Sequence, residues 1–201
     1  PDAVAVIRER LMPLASIVTP NLAEAEVLIG QQPDFGHARS PHRSEERDDR
    51  EGPGKRLAGL ATQLLNLGSA AVYLKGGQRL YTSDAPHDPG AVSTSTGVDV
   101  QQVGGDRPRE SIDVFHDGQQ IHMLSGPLVS TRALHGTGCS LSSALASLLA
   151  LGRSPFDAAR EAKVWLTRAI ERGSELDVGH PDGFGPVHHF HSKRSAASEP
   201  E

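Results

Sequence analysis

The chain of 201 residues has one cysteine, and aromatic residues make up only 4% of it. A single cysteine excludes an intramolecular disulfide framework and a metal site built from several cysteines. No apolar run has the length of a membrane-spanning helix, so we expect no membrane partner. The net charge is −5, and without a basic cluster we expect no nucleic-acid partner. Nothing at the start has the pattern of a signal peptide, and we expect a cytoplasmic protein.

Two stretches lack the apolar periodicity of helices and strands. Residues 31–56 and 83–110 are polar and broken by Gly or Pro, and we predict that both are flexible insertions. We also predict that the tail, residues 191–201, is disordered. Elsewhere helices alternate with apolar strands, which predicts an α/β fold in one domain over residues 1–190.

Local signals place the individual elements. Helices are predicted at the start of the chain up to Pro13, over 21–29, over 57–67, up to Leu151, and from an N-cap at Ser154. Strands are predicted over 14–19 and 70–77, and a hairpin is predicted around Asp117 and Gly118. The last helix is expected to bury an apolar stripe of Phe156, Ala159, Ala162, Val164, Leu166 and Ile170.

The stretch "HGTGCS", residues 135–140, combines two glycines, the cysteine and the start of a helix. The first turn of a helix has unpaired amides and the positive end of the helix dipole, which suits a phosphate. Cys139 would lie in that field, which favours a thiolate. The alternative is a glycine-rich helix entry with a small buried cysteine, and the pattern by itself leaves both open.

A second motif, "TPNLAEAE", places Asn21 and Glu24 three residues apart directly after a predicted strand. An amide and a carboxylate on one helical turn could hold hydrated Mg²⁺ near phosphates. The same spacing is typical of a capping box, which needs no ligand. From these residues alone we favour capping.

Two further features carry candidate ligand groups. Lys75 ends a predicted buried strand, where it could contact a phosphate, or it is an ordinary exposed lysine at a turn. The stretch "VHHFH" contains His188, His189 and His191, which could bind a metal. Since no carboxylate or cysteine is spaced with them, we interpret them mainly as a solvated loop.

Taken together, these stretches resemble the hydroxymethylpyrimidine/phosphomethylpyrimidine kinase family of thiamine biosynthesis, within the ribokinase-like superfamily. The stretches that follow the family's order are "LMPLASIVTPNLAEAEVLIG", "VYLKGGQ", "DVFHDGQQIH", "TRALHGTGCSLSSALASLLALG" and "GFGPVHHF". The resemblance implies a ribokinase-like three-layer α/β/α sandwich. It also implies phosphoryl transfer from ATP with Mg²⁺, first to hydroxymethylpyrimidine and then to its monophosphate.

The resemblance assigns roles to residues by position. Those that match the family's anion hole are Gly136, Thr137, Gly138 and Cys139. Cys139 also matches the catalytic base, and Lys75 and Thr131 match positions beside the nucleotide. Asn21 and Glu24 match the element that organises Mg²⁺ and its waters.

Two departures from the family leave alternatives open. Ala133 and Leu134 stand where the family usually has polar residues. The family's amino-terminal strands and most of its acceptor pocket have no counterpart, so we expect a fragment that is incomplete for activity.

A pyridoxal kinase-like enzyme and a non-catalytic nucleotide-binding remnant are the alternatives. The oligomeric state stays open, with a homodimer as the candidate.

Overall fold

The computed structural model describes residues 2–31, 53–76, 110–176, 178 and 183–192. The helices of this part are α1 (Ala3–Val6), α2 (Leu22–Leu28), α3 (Pro53–Leu65), α4 (Thr137–Ala150) and α5 (Pro155–Glu171). Its strands are β1 (Val72–Leu74), β2 (Glu110–His116) and β3 (Ile121–Pro127). A π-helical turn (Ile7–Leu11) and a 3-10 turn (Met12–Leu14) continue α1, and a 3-10 turn (Gly173–Leu176) follows α5.

The strands form an antiparallel sheet in the order β1-β2-β3. The predicted hairpin is confirmed, because β2 and β3 are joined by a turn at Asp117 and Gly118. The Asp117 carboxylate accepts the amides of Gln119 and Gln120, at 2.8 and 2.6 Å, which stabilises this turn. Gly118 has a φ of +92°, a conformation that favours glycine.

The segment before α2 runs parallel to β1. The Tyr73 amide donates to the Val18 carbonyl at 2.8 Å, and the Lys75 amide donates to the Pro20 carbonyl at 3.0 Å. The pairing consists of isolated bridges at Val18 and Asn21, so the strand predicted over 14–19 is only partly formed. Leu14 itself lies in the preceding 3-10 turn.

Helices cover both faces of the sheet, because side chains along a strand alternate between its faces. Val72 and Leu74 join one buried cluster with Leu60 and other residues of α3. Tyr73 and Phe115 join a second buried cluster, formed with α4 and α5. The predicted three-layer α/β/α arrangement is therefore confirmed.

The last two helices pack together along small and aliphatic side chains. The α5 cap is as predicted, since the Ser154 hydroxyl accepts the Asp157 amide and Pro155 is the first helical residue. The predicted stripe of α5 departs from the structure at two positions. Phe156 is only partly buried, and Lys163 is fully buried in place of Val164, which is also partly buried.

Some predicted boundaries also need correction. Helix α3 begins at Pro53, inside the insertion predicted over 31–56, and Glu110 belongs to β2 rather than to the insertion predicted over 83–110. His191, the first residue of the predicted disordered tail, is 4% exposed. The rest of these three segments, residues 32–52, 83–109 and 193–201, lies outside the described residues. Among the helices that the structure describes, none has the length and apolarity needed to cross a bilayer.

Candidate functional site

Helix α4 begins at the predicted glycine-rich turn. Gly136 is its N-cap residue, with a φ of +85° in the left-handed region that other residues rarely adopt. The helix starts at Thr137, so the amides of Gly138 and Cys139 belong to the first turn, where a helix supplies no carbonyl partner. These amides and the helix dipole give the turn a positive potential that favours an anion.

Lys75 lies against this same turn. A Cβ added at Gly138 would be 3.4 Å from the Lys75 Nζ atom, and the lysine side chain is 13% exposed. The alternative of an ordinary exposed lysine is therefore wrong. An ammonium beside a helix N-terminus brings two positive groups together, and a bound anion would stabilise this arrangement.

Asn21 and Glu24 form the capping box that the sequence favours. The Asn21 side chain accepts the Glu24 amide at 2.8 Å, and Glu24 Oε2 accepts the Asn21 amide at 2.7 Å. Glu24 Oε2 also lies 4.0 Å from the Lys75 Nζ atom. The structure thus joins three of the predicted site elements: the start of α2, the end of β1 and the first turn of α4.

Hydrogen bonds from two other segments hold the first turn of α4. The Thr19 and Ser142 hydroxyls are 2.9 Å apart, and the Ser142 hydroxyl donates to the Gly138 carbonyl at 3.0 Å. On the other side, the Ser140 hydroxyl donates to the Gly136 carbonyl at 2.7 Å and lies 2.8 Å from His189 Nε2. These hydrogen bonds therefore fix the geometry of the first turn of α4 in the folded chain.

Cys139 is exposed and has a free thiol. This position excludes the alternative of a small buried cysteine. Together with Gly136 it borders a groove of about 630 Å³ that runs along α4. The other residues that line the groove are Ser140, Ser143, Ala144, Ser147, Leu148, Leu151, Glu161, Trp165 and His189.

Thr131 stands apart from these contacts. Its hydroxyl accepts the Ala133 amide at 3.1 Å, so it stabilises its own turn. Within the described part of the chain, no hydrogen bond links it to Lys75 or to the first turn of α4. Ala133 is buried against Gly173, where a Cβ added to that glycine would be 2.4 Å from the alanine Cβ. A larger side chain at Ala133 would not fit this contact.

The prediction of solvated histidines is wrong for two of the three. His188 and His191 are 3% and 4% exposed, and only His189 is at the surface. The described residues contain no group of three or more His, Cys, Asp or Glu side chains that could hold a metal ion. These histidines pack the carboxyl-terminal segment onto α5 and α4.

A buried polar cluster of Tyr73, Asp113 and Lys163 lies next to the end of β1 and was not predicted from the sequence. Asp113 Oδ2 accepts the Tyr73 hydroxyl at 3.0 Å and the Lys163 ammonium at 2.5 Å, and Oδ1 accepts the Gly76 amide at 2.9 Å. Burial lowers the pKa of Lys163 to about 8, against the opposing effect of Asp113, and burial raises the pKa of Tyr73 well above 10. The one signal in the sequence is a lysine on the apolar face of α5.

Comparisons of the sequence with a family model and with curated proteins show one family. The phosphomethylpyrimidine kinase family matches residues 1–188 of the chain. The hydroxymethylpyrimidine/phosphomethylpyrimidine kinase of Rhizobium meliloti is 36% identical over 191 residues, with 95% of this chain and 54% of that protein covered. Its counterpart in Escherichia coli is 34% identical, with 96% and 55% covered. The chain spans about half the length of these curated relatives.

Solved structures give the same fold. The pyridoxal kinase of Staphylococcus aureus, in complex with AMP-PCP and pyridoxal, superposes with a TM-score of 0.66 at 26% identity, covering 95% of this chain and 54% of that one. A putative phosphomethylpyrimidine kinase from Bacteroides thetaiotaomicron has a TM-score of 0.59 at 15% identity, covering 98% and 52%. The second likeness supports the fold alone.

Proposed function

The chain belongs to the phosphomethylpyrimidine kinase family, and we propose that it forms the nucleotide-binding part of an ATP-dependent kinase of hydroxymethylpyrimidine and its monophosphate. The observation that carries this proposal is the Lys75 ammonium against the first turn of α4. Phosphoryl transfer needs groups that hold and neutralise phosphates rather than covalent chemistry from the protein. A lysine and free helical amides are groups of that kind.

In this proposal the triphosphate of ATP lies between Lys75 and the amides of Gly138 and Cys139. The amides stabilise the charge that spreads over the transferring phosphoryl group. The acceptor hydroxyl gives its proton to the Cys139 thiolate as its oxygen bonds to the γ-phosphorus. The bond from that phosphorus to the β–γ bridging oxygen breaks, and ADP leaves with that electron pair.

The family's use of ATP implies a Mg²⁺ ion. Asn21 and Glu24, at the start of α2, fit such an ion in its hydrated form. Mg²⁺ keeps several waters and needs only one or two carboxylates beside the phosphates. Glu24 provides a carboxylate that is 56% exposed and faces Lys75. We propose that Glu24 holds the ion through water, while Asn21 fixes the orientation of Glu24 through the capping box. The ion would supply charge neutralisation of the β- and γ-phosphates.

The groove along α4 gives the base of the nucleotide a place next to the phosphate site. Its end near Cys139 is bordered by Trp165 and His189. An aromatic side chain and aliphatic neighbours such as Ala144 suit a flat, largely apolar base. We propose that the base occupies this end of the groove.

Fluorescence of Trp165, the single tryptophan of the chain, tests this nucleotide site. We expect Mg·AMP-PCP to change the fluorescence of Trp165 on binding, whereas tripolyphosphate, which has no base, causes no such change. Lys75→Met should weaken the binding of Mg·AMP-PCP, and Lys55→Met, at an exposed position of α3, is the matched control. Unchanged AMP-PCP affinity in Lys75→Met would refute the site.

Phosphoryl transfer itself is tested with three acceptors: hydroxymethylpyrimidine, its monophosphate and pyridoxal. Pyridoxal is included because the Staphylococcus aureus relative is a pyridoxal kinase. The assay uses the 201-residue chain and the reading frame from which it comes, because the chain spans about half of its relatives. Turnover of the pyrimidines supports the proposal, and preference for pyridoxal supports the second candidate. Binding without any turnover would support a non-catalytic remnant.

The role of Cys139 gives a sharper test within the same assay. Cys139→Ala should slow the first phosphorylation more than the second, because the acceptor in the second step is already a phosphate and needs less base catalysis. Equal losses in both steps would contradict a base role for Cys139.

A further inference from the structure

We propose that the buried Asp113, whose charge is balanced by Lys163, is a positioning residue for Lys75 and, through it, for the phosphate site. This inference rests on the proposed function, because it assumes that Lys75 contacts phosphate. Neither residue of the pair touches the nucleotide in this scheme. Asp113 acts on the Gly76 amide after Lys75 and on the Tyr73 side-chain hydroxyl before it, and Lys163 acts on Asp113.

The contacts of Asp113 bracket Lys75. One carboxylate oxygen accepts the amide of Gly76, the residue directly after Lys75, at 2.9 Å. The other accepts the hydroxyl of Tyr73, two residues before Lys75, at 3.0 Å. Asp113 therefore fixes the end of β1 at the point where the Lys75 side chain leaves toward α4.

Lys163 in turn holds Asp113. It reaches from α5 to Asp113 Oδ2 at 2.5 Å, and its side chain is fully buried. An ion pair in the core stabilises a fold little more than apolar residues of similar size, since both charges lose their water. The desolvation is visible in the lowered pKa of Lys163. Holding a carboxylate oxygen in place for a backbone amide is something that apolar residues cannot do.

The backbone at Gly76 has the close approach that this contact needs. A Cβ added at Gly76 would lie 1.8 Å from the Ile112 carbonyl oxygen, so the backbone there packs directly against β2. Asp113 is the next residue on that strand and is 4% exposed. The hydrogen bond to Gly76 is thus sheltered from water, which stabilises the position of the strand end.

Two double variants separate this role from simple core packing. Single substitutions would leave one uncompensated buried charge, so both partners are replaced. Asp113→Asn with Lys163→Met removes the charges but keeps a side-chain oxygen for the Gly76 amide. Asp113→Leu with Lys163→Met removes the oxygen as well. Calorimetric titration with Mg·AMP-PCP measures the affinity, and thermal melts show that each variant is folded.

We expect the variant with Asp113→Asn and Lys163→Met (the Asn/Met variant) to bind Mg·AMP-PCP within about twofold of the wild-type chain. The variant with Asp113→Leu and Lys163→Met (the Leu/Met variant) should bind about tenfold more weakly, which is the equivalent of one lost phosphate contact. In a Lys75→Met background the Leu/Met change should cause no further loss. Equal losses with and without Lys75, or wild-type affinity in the Leu/Met variant, would overturn the inference. Wild-type affinity in Lys75→Met alone would instead refute the proposed phosphate site.

If the Leu/Met variant does not fold, hydrogen exchange of the Gly76 amide in the wild-type chain decides the question. Protection equal to that of the β1 core supports a fixed strand end. Exchange as fast as in an open loop would overturn the inference.

Discussion

The substitution Gly138→Ala should separate the stability of the chain from its affinity for nucleotide. Gly138 is the second residue of α4, and an added Cβ would make an ordinary contact with the Lys75 Nζ atom at 3.4 Å. Alanine therefore fits the helix. Its methyl group, however, occupies the space between the ammonium and the first-turn amides, where the phosphates are proposed to lie.

The two effects have opposite signs. Alanine is favoured over glycine inside a helix by about 1 kcal/mol, so the free energy of unfolding should rise by up to about that amount. For a chain of this size that is an increase of about 2–4 °C in Tm. Hydrogen bonds to a charged group contribute about 1.5–3 kcal/mol, so losing one should weaken Mg·AMP-PCP binding by about tenfold or more.

Thermal melts and calorimetric titration of the same samples measure both quantities. Gly59→Ala is the matched control, because Gly59 is exposed inside α3 and an added Cβ there meets nothing within 4 Å. It should raise Tm by a similar amount and leave the affinity unchanged. Wild-type affinity in Gly138→Ala, together with the expected gain in Gly59→Ala, would refute a phosphate held at this turn.

Three other predictions concern stability. Gly136→Ala forces a side chain into a φ of +85° and should lower the free energy of unfolding by about 1–2 kcal/mol in urea denaturation; an unchanged midpoint would contradict the strain argument. Leu141→Ala, at a side chain 1% exposed, should cost about 2–5 kcal/mol, whereas Leu151→Ala, at 81% exposed, should change little. The amides of Gln120 and Gln119 lower the pKa of Asp117 from 3.8 to about 2, so its stabilisation should be present above 3.8 and lost as the pH falls through about 2. The difference in unfolding free energy between wild type and Asp117→Asn should shrink over that range, and a pH-independent difference would contradict the turn contacts.

Features that depend on neighbouring residues could be predicted from the sequence. The turn at Asp117, the capping box at Asn21 and the N-cap at Ser154 each involve partners within four residues. The order of helices and strands also predicts the layers, because strands that alternate with helices must bury both faces of the sheet. The helix start at Thr137 follows from the glycines before it and the apolar run after it, whereas that pattern left the exposure of Cys139 open.

Contacts between distant residues could not be predicted in the same way. Lys163 and Asp113 are 50 residues apart, and no local pattern indicates which carboxylate a buried lysine will meet. The amphipathic pattern of α5 favoured Val164 for burial because apolar side chains usually fill such positions. Similarly, the polarity of the imidazole favoured a solvent-exposed position for His188. The side chain is buried instead, because its position depends on how the carboxyl-terminal segment packs.

The proposed phosphate site is held from several distant parts of the chain. Thr19 reaches α4 from the segment before α2, His189 reaches it from the carboxyl-terminal segment, and Asp113 fixes the strand end that carries Lys75. Because folding already orders these groups, nucleotide binding should require little further ordering, which favours affinity. The groups proposed to act on the substrates, Lys75, the first-turn amides and Cys139, would hold phosphate or take a proton from a hydroxyl, which is chemistry that pyrimidine and pyridoxal acceptors share. The proposed site is therefore a site for the phosphoryl donor, and the same arrangement serves either acceptor.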